Sequence, residues 1–353
     1  MPTASAALRC PVCEGVDWLH VRDYVYHRDA LSDPTSPLSG YDKLRQRVLF
    51  EVWYRDHETV WLHLELCLEC GFVTYVPRPS AAMLDAKYRF LQEQEDLLGG
   101  TATSELGRRM DRRRAERTLR AIPRGRVGPG RRVLDFGGGN GKVVEPFHEA
   151  GAECFLLDYN VQPLPWIRRL GATLEDLRGD ERFDVIVCSH ILEHVGDPTG
   201  VLDVLRRLLS EGGMLYGEVP VEVWRGVPMA RDPVTHVNFF TLGSFEQLFV
   251  RRGYRIVSSV ELRGSYAEVV IPVACVVAGV GAGRGPSISD PVTEARRRLF
   301  PDGRARLQHL ARTADQAYGQ AAALIGSGGT LAGACVLLGR VLDASGWRRR
   351  PRR

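Results

Sequence analysis

Between Arg131 and Val219, short apolar runs alternate with segments of helical character. The strand-like runs are Arg131–Phe136, Ala152–Leu157, Ala172–Leu174, Phe183–Ser189 and Gly213–Val219. Between them the pattern predicts helices over Gly141–Ala150, over Val161–Leu170 with its entry set by Pro163 and Pro165, and over Pro198–Leu209. Parallel strands cannot be joined by tight hairpins, so this alternation predicts a parallel sheet covered by crossover helices. Phe183–Ser189 is apolar throughout, as a strand buried on both faces must be. A further helix over Leu242–Arg252 and two strands, Tyr254–Leu262 and Ala267–Ala278, around Arg263–Ser265 close the unit.

The flanking parts differ in character. Residues 1–80 read as a β-rich module, with a hairpin of Val48–Tyr54 and Thr59–Leu66 turning at Arg55–Glu58 and a loop at Asp33–Gly40. Residues 81–128 read as a helical linker or lid: Leu84, Tyr88 and Leu91 share a face, Gly99–Gly100 breaks the run, and a basic helix covers Ser104–Arg120. Residues 129–280 form the main domain. Residues 281–353 read as a helical appendage with a basic tail. Asp290 and Pro291 open it, and Leu307, Leu310, Ala314, Tyr318, Ala321 and Leu324 fall on one face that packs on the core or on a second copy, giving a homo-oligomer.

Composition sets the compartment. With 44% hydrophobic and 25% charged residues and a net charge of +4, the chain reads as a soluble globular protein without a strong overall field. The arginines between Arg108 and Arg132 read first as a solvated helix face, with contact to an anionic surface as the alternative. Val269–Gly281 is too short to span a bilayer and Leu324–Leu342 contains Arg340, so no membrane span is expected. Met1–Cys13 lacks the apolar core of a secretory signal, which makes the expected location cytoplasmic. Thiols stay reduced there, so the two CxxC pairs, Cys10/Cys13 and Cys67/Cys70, point to a closed tetrathiolate zinc site with a structural role. His20, His27, His57 and His63 are not needed as its ligands. Cys154, Cys188, Cys275 and Cys335 stand alone and read as small buried residues.

The strand Arg132–Val133–Leu134 ends in Asp135, and Gly137, Gly139, Asn140 and Gly141 follow in a turn that opens a helix. Glycine there allows a sharp turn and a close approach to a ligand, whose polar atoms suit the free N–H groups of the helix start. The GxGxG spacing, and a carboxylate that would repel a pyrophosphate, favour the ammonium group of a methionine moiety over a dinucleotide. The next strand ends in Asp158, placed to accept both ribose hydroxyls. Beyond the third strand, Asp176 or its neighbour Glu175 can accept from an adenine amino group.

Val133-Leu134-Asp135-Phe136-Gly137-Gly138-Gly139-Asn140-Gly141, Asp158, Phe183–Val187 and Leu192-Glu193-His194-Val195-Gly196-Asp197-Pro198 together resemble the class I S-adenosylmethionine-dependent methyltransferases. The resemblance covers Arg131 to Ala278. It implies a Rossmann-like seven-stranded sheet, with Asp135 and the glycines holding the methionine end, Asp158 the ribose, and the methyl group emerging toward Ser189, His190, Glu193 and His194. His236-Val237-Asn238-Phe239-Phe240-Thr241 resembles a stretch of one large bacterial branch of that family. Cys67-Leu68-Glu69-Cys70-Gly71, running on to Pro77-Arg78-Pro79-Ser80, resembles the leader of bacterial methyltransferases acting on sugars, surface glycans and secondary metabolites.

The expected activity is methyl transfer to an oxygen or activated carbon of a polar small molecule, such as a sugar, nucleotide-sugar or glycosylated natural product. Such transfer needs alignment and a base for the departing proton. His194 is the leading candidate because it matches the Glu-His pair of deoxysugar C-methyltransferases, with Glu193 orienting its ring. His190, just past a strand end, and His236, in the insert before the last helix, are its rivals. Tyr24, Tyr26 and Tyr88 are further residues able to reach in from the N-terminal part. The alternative is an RNA-modifying enzyme gripping phosphates with the zinc module and the basic helix. The arginine-rich helix lacks interleaved aromatics for stacking bases, so nucleic acid is not the expected partner.

Overall fold

The computed structural model describes residues 8–33, 40–98, 105–159, 162–223, 232–266, 269–281 and 290–300. The chain starts with strand β1 (Trp18–His27), helix α1 (Gly40–Arg47), strands β2 (Thr59–Cys67) and β3 (Val73–Val76), and helices α2 (Ala81–Leu98) and α3 (Glu105–Ala121). There follow β4 (Arg132–Phe136), α4 (Glu145–Glu149), β5 (Glu153–Leu157), β6 (Arg168–Gly171), β7 (Phe183–Ser189), α5 (Pro198–Leu208), β8 (Leu209–Pro220), α6 (Leu242–Arg251), β9 (Tyr254–Tyr266), β10 (Val269–Val280) and α7 (Pro291–Leu299).

The strands make a three-stranded sheet, β1-β2-β3, and a seven-stranded sheet ordered β6-β5-β4-β7-β8-β10-β9. The strands from β6 to β8 run parallel, and β10 pairs antiparallel with both β8 and β9. This is the expected α/β, Rossmann-like sheet. Helix starts carry their signals: Asp197 accepts from Gly200 N ahead of Pro198, Thr241 and Ser244 form a capping box, and Asp290 accepts from Thr293 N ahead of Pro291.

Three expectations are corrected. Val48–Tyr54 is not a strand: α1 runs on as a π-type turn over Val48–Trp53, burying Val48, Leu49, Phe50 and Trp53. The buried set Val48, Leu49, Phe50 and Trp53 does not follow the alternation of a half-buried strand, and Leu49, Phe50 and Trp53 recur at i, i+1 and i+4 as helical turns allow. The partners of β2 are β1, which has no counterpart in the expected hairpin, and β3. There is also no helix over 162–170. Pro165 disfavours helical backbone at Leu164, and the Leu164 N–H goes to the Asn140 carbonyl at 3.0 Å instead. The third parallel strand is therefore Arg168–Gly171 rather than Ala172–Leu174, and the latter segment leads into a short 3-10 turn at Leu174–Asp176. The helix after the glycine loop is short, a 3-10 turn Lys142–Val144 followed by α4. The appendage beyond Phe300, with its apolar face and basic tail, lies outside the described residues.

The N-terminal sheet is seated on the large one. Val73 and Phe239 exchange backbone hydrogen bonds of 3.2 and 2.9 Å. Arg78 of the Pro-Arg-Pro-Ser segment donates to Asn238 Oδ1 at 2.9 Å and to the Gly196 carbonyl at 3.1 Å. Cys10, Val12, Cys67, Cys70 and Phe72 share one apolar cluster with Phe240, Phe245 and Phe249. Tyr24, Tyr26 and Tyr75 share another with Val223, Val234 and Val237. Among the described residues, no helix is long and apolar enough to cross a membrane.

Candidate active site

Register places Asp135 beside Val187 and Leu156, and Ser189 beside Glu218. Asp135, Asp158, Ser189 and His190 therefore line up along the carboxyl ends of the parallel strands, where open α/β sheets bind ligands. Gly137 and Gly141 have φ of +69° and +95°, and a Cβ at these positions would strike Ile191 and Ile167. Gly139 N donates to Asp158 Oδ2 at 2.8 Å, tying the glycine loop to the next strand end. Asp135 is buried, and its Oδ2 has no hydrogen-bond partner among the described residues. Burial pushes its carboxyl up to about 7, against the pull of Arg114 and with the push of Asp158. Asp176, by contrast, accepts from Ala172 N and Thr173 N at 2.7 and 2.9 Å and so caps its own turn.

Beneath this edge lies a buried charge network. Glu218 accepts from Arg117 Nη2 and from Tyr216 Oη, each at 2.6 Å. Arg114 Nε is 3.4 Å from Glu218 Oε1, and its Nη2 donates to Ser189 Oγ at 2.8 Å. The two arginines come from α3, so the basic helix turns part of its charge inward. Arg112 pairs with Glu149 at 2.7 Å. Removing one partner strands the others in a site where charge is costly. Glu218→Ala is therefore expected to cost about 3–5 kcal/mol of unfolding free energy, measurable by denaturant titration.

His190 sits at the end of β7 with φ +60°, a left-handed conformation uncommon outside glycine. Its Nδ1 is 3.2 Å from Glu193 Oε1 and its Nε2 3.2 Å from Glu218 Oε1. Burial opposes a charged ring, but the two carboxylates outweigh it and raise the pKa. His190 is thus enclosed on both nitrogens.

His194 and His236 are different. Their rings meet edge to face with centroids 4.7 Å apart, and their side chains stay 21% and 16% exposed. His194 Nδ1 is 2.7 Å from the Thr235 carbonyl, which requires Nδ1 to donate and leaves the lone pair on Nε2. That Nε2 is 3.7 Å from Glu193 Oε1. His236 Nδ1 is 2.5 Å from Glu222 Oε2. Burial and the neighbouring His236 and Lys87 outweigh Glu193 and lower His194 to about 3, whereas Glu222 overcomes burial and raises His236 to about 9. Of the pair, His236 carries the proton and His194 is neutral. Lys87, buried on α2, donates to the Val234 carbonyl at 3.1 Å, and burial lowers its amine to about 7.

Residues 106–259 match the family described as Methyltransferase domain. That stretch, less than half of the chain, is similar to methyltransferase domains, and its strands belong to the seven-stranded sheet expected of the class I S-adenosylmethionine-dependent enzymes. The ubiquinone biosynthesis O-methyltransferase of Haemophilus ducreyi is 34% identical over 104 residues, which are 25% of this chain and 44% of that protein. The protein of the same name from Cereibacter sphaeroides is 36% identical over 99 residues, 24% of this chain and 40% of its own. The match thus spans less than half the length of these relatives. Among solved structures, the 1,6-didemethyltoxoflavin-N1-methyltransferase of Burkholderia thailandensis is 18% identical with a TM-score of 0.43, covering 61% of this chain and 98% of that one.

Of the residues expected to serve the methyltransferase domain, Asp135, Gly137, Gly139, Asn140, Gly141, Asp158, Ser189 and His190 gather at one edge, with Glu193, His194 and His236 beside them. Arg114, Arg117, Glu218, Glu222 and Lys87 were not expected. Glu218 had a signal, a lone carboxylate inside the apolar run Met214–Pro220. Arg114 had a weaker one, since Met110, Arg114 and Thr118 recur at helical spacing and are all buried. Tyr24 and Tyr26 turn into the core, and Tyr88 is 43% exposed. Outside the domain, the four cysteines converge: Cys10 Sγ lies 3.6 Å from Cys70 Sγ and Cys13 Sγ 3.5 Å from Cys67 Sγ. Val12 N and Gly15 N each approach a knuckle sulfur at 3.4 Å.

Proposed function

We propose that the chain transfers a methyl group to an oxygen or activated carbon of a polar small molecule, with His194 as general base. The observation that carries this reading is the partly exposed His194, held neutral with its Nε2 lone pair available at the junction of the N-terminal module and the sheet edge. Lys87, whose charge is felt at His194, donates to the Val234 carbonyl close by in the same segment as Thr235. The curated relatives are named as O-methyltransferases, which supports oxygen as the accepting atom. The Pro-Arg-Pro-Ser leader supports a sugar or a sugar-bearing metabolite.

The site fits the cofactor. The unpartnered Asp135 Oδ2 suits an ammonium group, Gly139 has open space beside it for close approach, and Asp158 suits a ribose. S-adenosylmethionine supplies an electrophilic methyl group when bound. The protein aligns the acceptor, excludes water and takes the proton at His194 Nε2. The four sulfurs fit zinc as well: bonds of about 2.3 Å to a tetrahedral ion imply sulfur separations of roughly 3.8 Å. The N–H groups aimed at Cys10 and Cys13 favour thiolates.

Calorimetry tests the cofactor assignment. Asp158→Ala should weaken S-adenosylmethionine binding markedly. Because an ammonium ligand selects ionised Asp135, whose carboxyl lies at about 7, affinity should fall as pH drops below that value, by up to about tenfold per unit. Unchanged affinity in Asp158→Ala, or preferential binding of NAD, would sink the assignment.

A further inference from the structure

The outward face of the N-terminal sheet carries a second set of metal-ligating side chains, far in character from the cysteine knuckles. Two residues three apart in a regular strand point to opposite faces. His20 and Asp23 of β1 nonetheless share a face. The pairing runs His20↔Glu65 and then Arg22↔Leu64, so Val21 is an extra residue, a β-bulge. Without it His20 would turn inward with the buried Tyr24 and Tyr26. With it, His20 and Asp23 stand over His63 and Glu65 of β2.

The four side chains form an ordered set. His20 Nε2 is 3.4 Å from Asp23 Oδ1, and His63 Nδ1 is 2.6 Å from the same oxygen. One ligand atom from each of His20, Asp23 and His63 lies within 4.8 Å of the others. Nitrogen and oxygen ligands at about 2.0–2.1 Å from a tetrahedral zinc are separated by roughly 3.3 Å, so the His20–Asp23 edge already has the required span. The His63–Asp23 edge opens when the ion takes the place of the proton between them. Glu65 supplies an independent pointer. Its Oε1 is 2.9 Å from His20 Nδ1. A carboxylate on the other ring nitrogen is how metal-binding imidazoles are oriented, because it fixes the tautomer that leaves Nε2 as the donor to the ion. As a cluster of ion pairs the arrangement is poor, since two imidazoles compete for a single Asp23 oxygen. A cation at their centre satisfies all three.

The geometry points to a divalent transition-metal site, of the zinc class, with His20 Nε2, Asp23 and His63 Nδ1 as ligands and Glu65 as the positioning residue. Imidazole donors select such ions over magnesium or calcium. The ion clamps β1 to β2 across the bulge. Its remaining position faces solvent, because the His20, Asp23 and His63 side chains are 52%, 46% and 44% exposed.

The test counts zinc on the full chain after dialysis against buffered free zinc. The intact protein should retain about two ions, one for each ligand set. Asp23→Ala and His63→Ala should each hold one ion fewer than the intact protein, with unchanged circular dichroism showing that the fold is kept. Glu65→Gln should bind the same ion about 10–100-fold more weakly. His57→Ala, a surface histidine outside the set, should bind as the intact protein does. The proposal is overturned if His63→Ala retains as much zinc as the intact chain, or if Glu65→Gln leaves the affinity unchanged. Because the readout is the difference caused by His63, it stands whether or not the cysteine site is filled.

Discussion

His194→Ala should lower kcat by about a hundredfold to ten-thousandfold, the usual cost of removing a positioned base, while S-adenosylmethionine binding stays at its intact level. The proton taken from the acceptor arrives at Nε2, where Glu193 Oε1 at 3.7 Å stabilises the ring as it becomes charged. The pH profile carries a sharper signature. His194, lowered to about 3 by burial with His236 and Lys87 beside it, is unprotonated from mildly acid conditions upward. At saturating cofactor, where the Asp135 effect on binding drops out, kcat should therefore show no acid limb at the ordinary histidine position of about 6.5. His236, raised to about 9, keeps its proton over the same range. In His236→Gln that positive neighbour is gone, so the His194 pKa should rise and the acid limb should move up toward the ordinary value. Steady-state rates across pH 4–10, on the order of the range these pKa values span, make the check. Nearly full activity in His194→Ala, or an acid limb unmoved by His236→Gln, would place the base elsewhere.

The parts of this arrangement written in contiguous residues were legible in the sequence, and those written across distance were not. Asp135 through Gly141 and Asp158 each sit at a strand end announced by the apolar run before it, so position along the chain already implied position on the sheet edge. The cysteine pairs were legible because each CxxC turn is local and only their meeting is long-range. Val161–Leu170 misled because its apolar spacing is helical while Pro163 and Pro165 forbid the backbone to follow. Val48–Tyr54 misled because aromatic and β-branched residues favour strands only where the surroundings are a pleated surface. The Arg117–Glu218 pair joins residues 101 positions apart. Nothing near either residue says that a helix of the linker will lie over β8, so the arginines read as a solvated face. The contrast between His190 and His194 was equally out of reach. Both follow the same strand end, and only the closure of Glu218 around one and the Thr235 carbonyl beside the other separates an enclosed ring from an available one.

Cys67→Ser should have the largest effect on folding. Structural zinc binding in small modules amounts to about 10–16 kcal/mol, comparable with or larger than the roughly 5–15 kcal/mol that keeps a whole domain folded. The variant should lose its zinc, and the N-terminal sheet should melt at a much lower temperature. Strong chelation of the intact protein should do the same. The damage should not stop at the module. Cys10, Cys67, Cys70 and Phe72 pack in the same cluster as Phe240, Phe245 and Phe249, and β3 is bonded through Val73 to Phe239. Phe239 lies three residues beyond His236, and Thr74 Oγ1 and Arg78 hold the Val237 carbonyl at 2.9 and 3.2 Å. Loss of a zinc ion from the four sulfurs should therefore loosen the segment that carries His236 and the Thr235 carbonyl on which the His194 tautomer depends. Methyl transfer should fall along with metal content, while cofactor binding at the Asp135–Asp158 edge, tied together within the large domain by the Gly139 N to Asp158 Oδ2 bond, should fall less. Elemental analysis, thermal melting and cofactor titration on one preparation test all three links. A metal-free Cys67→Ser protein with an unchanged melting temperature would show that the cysteines are no more than small buried residues.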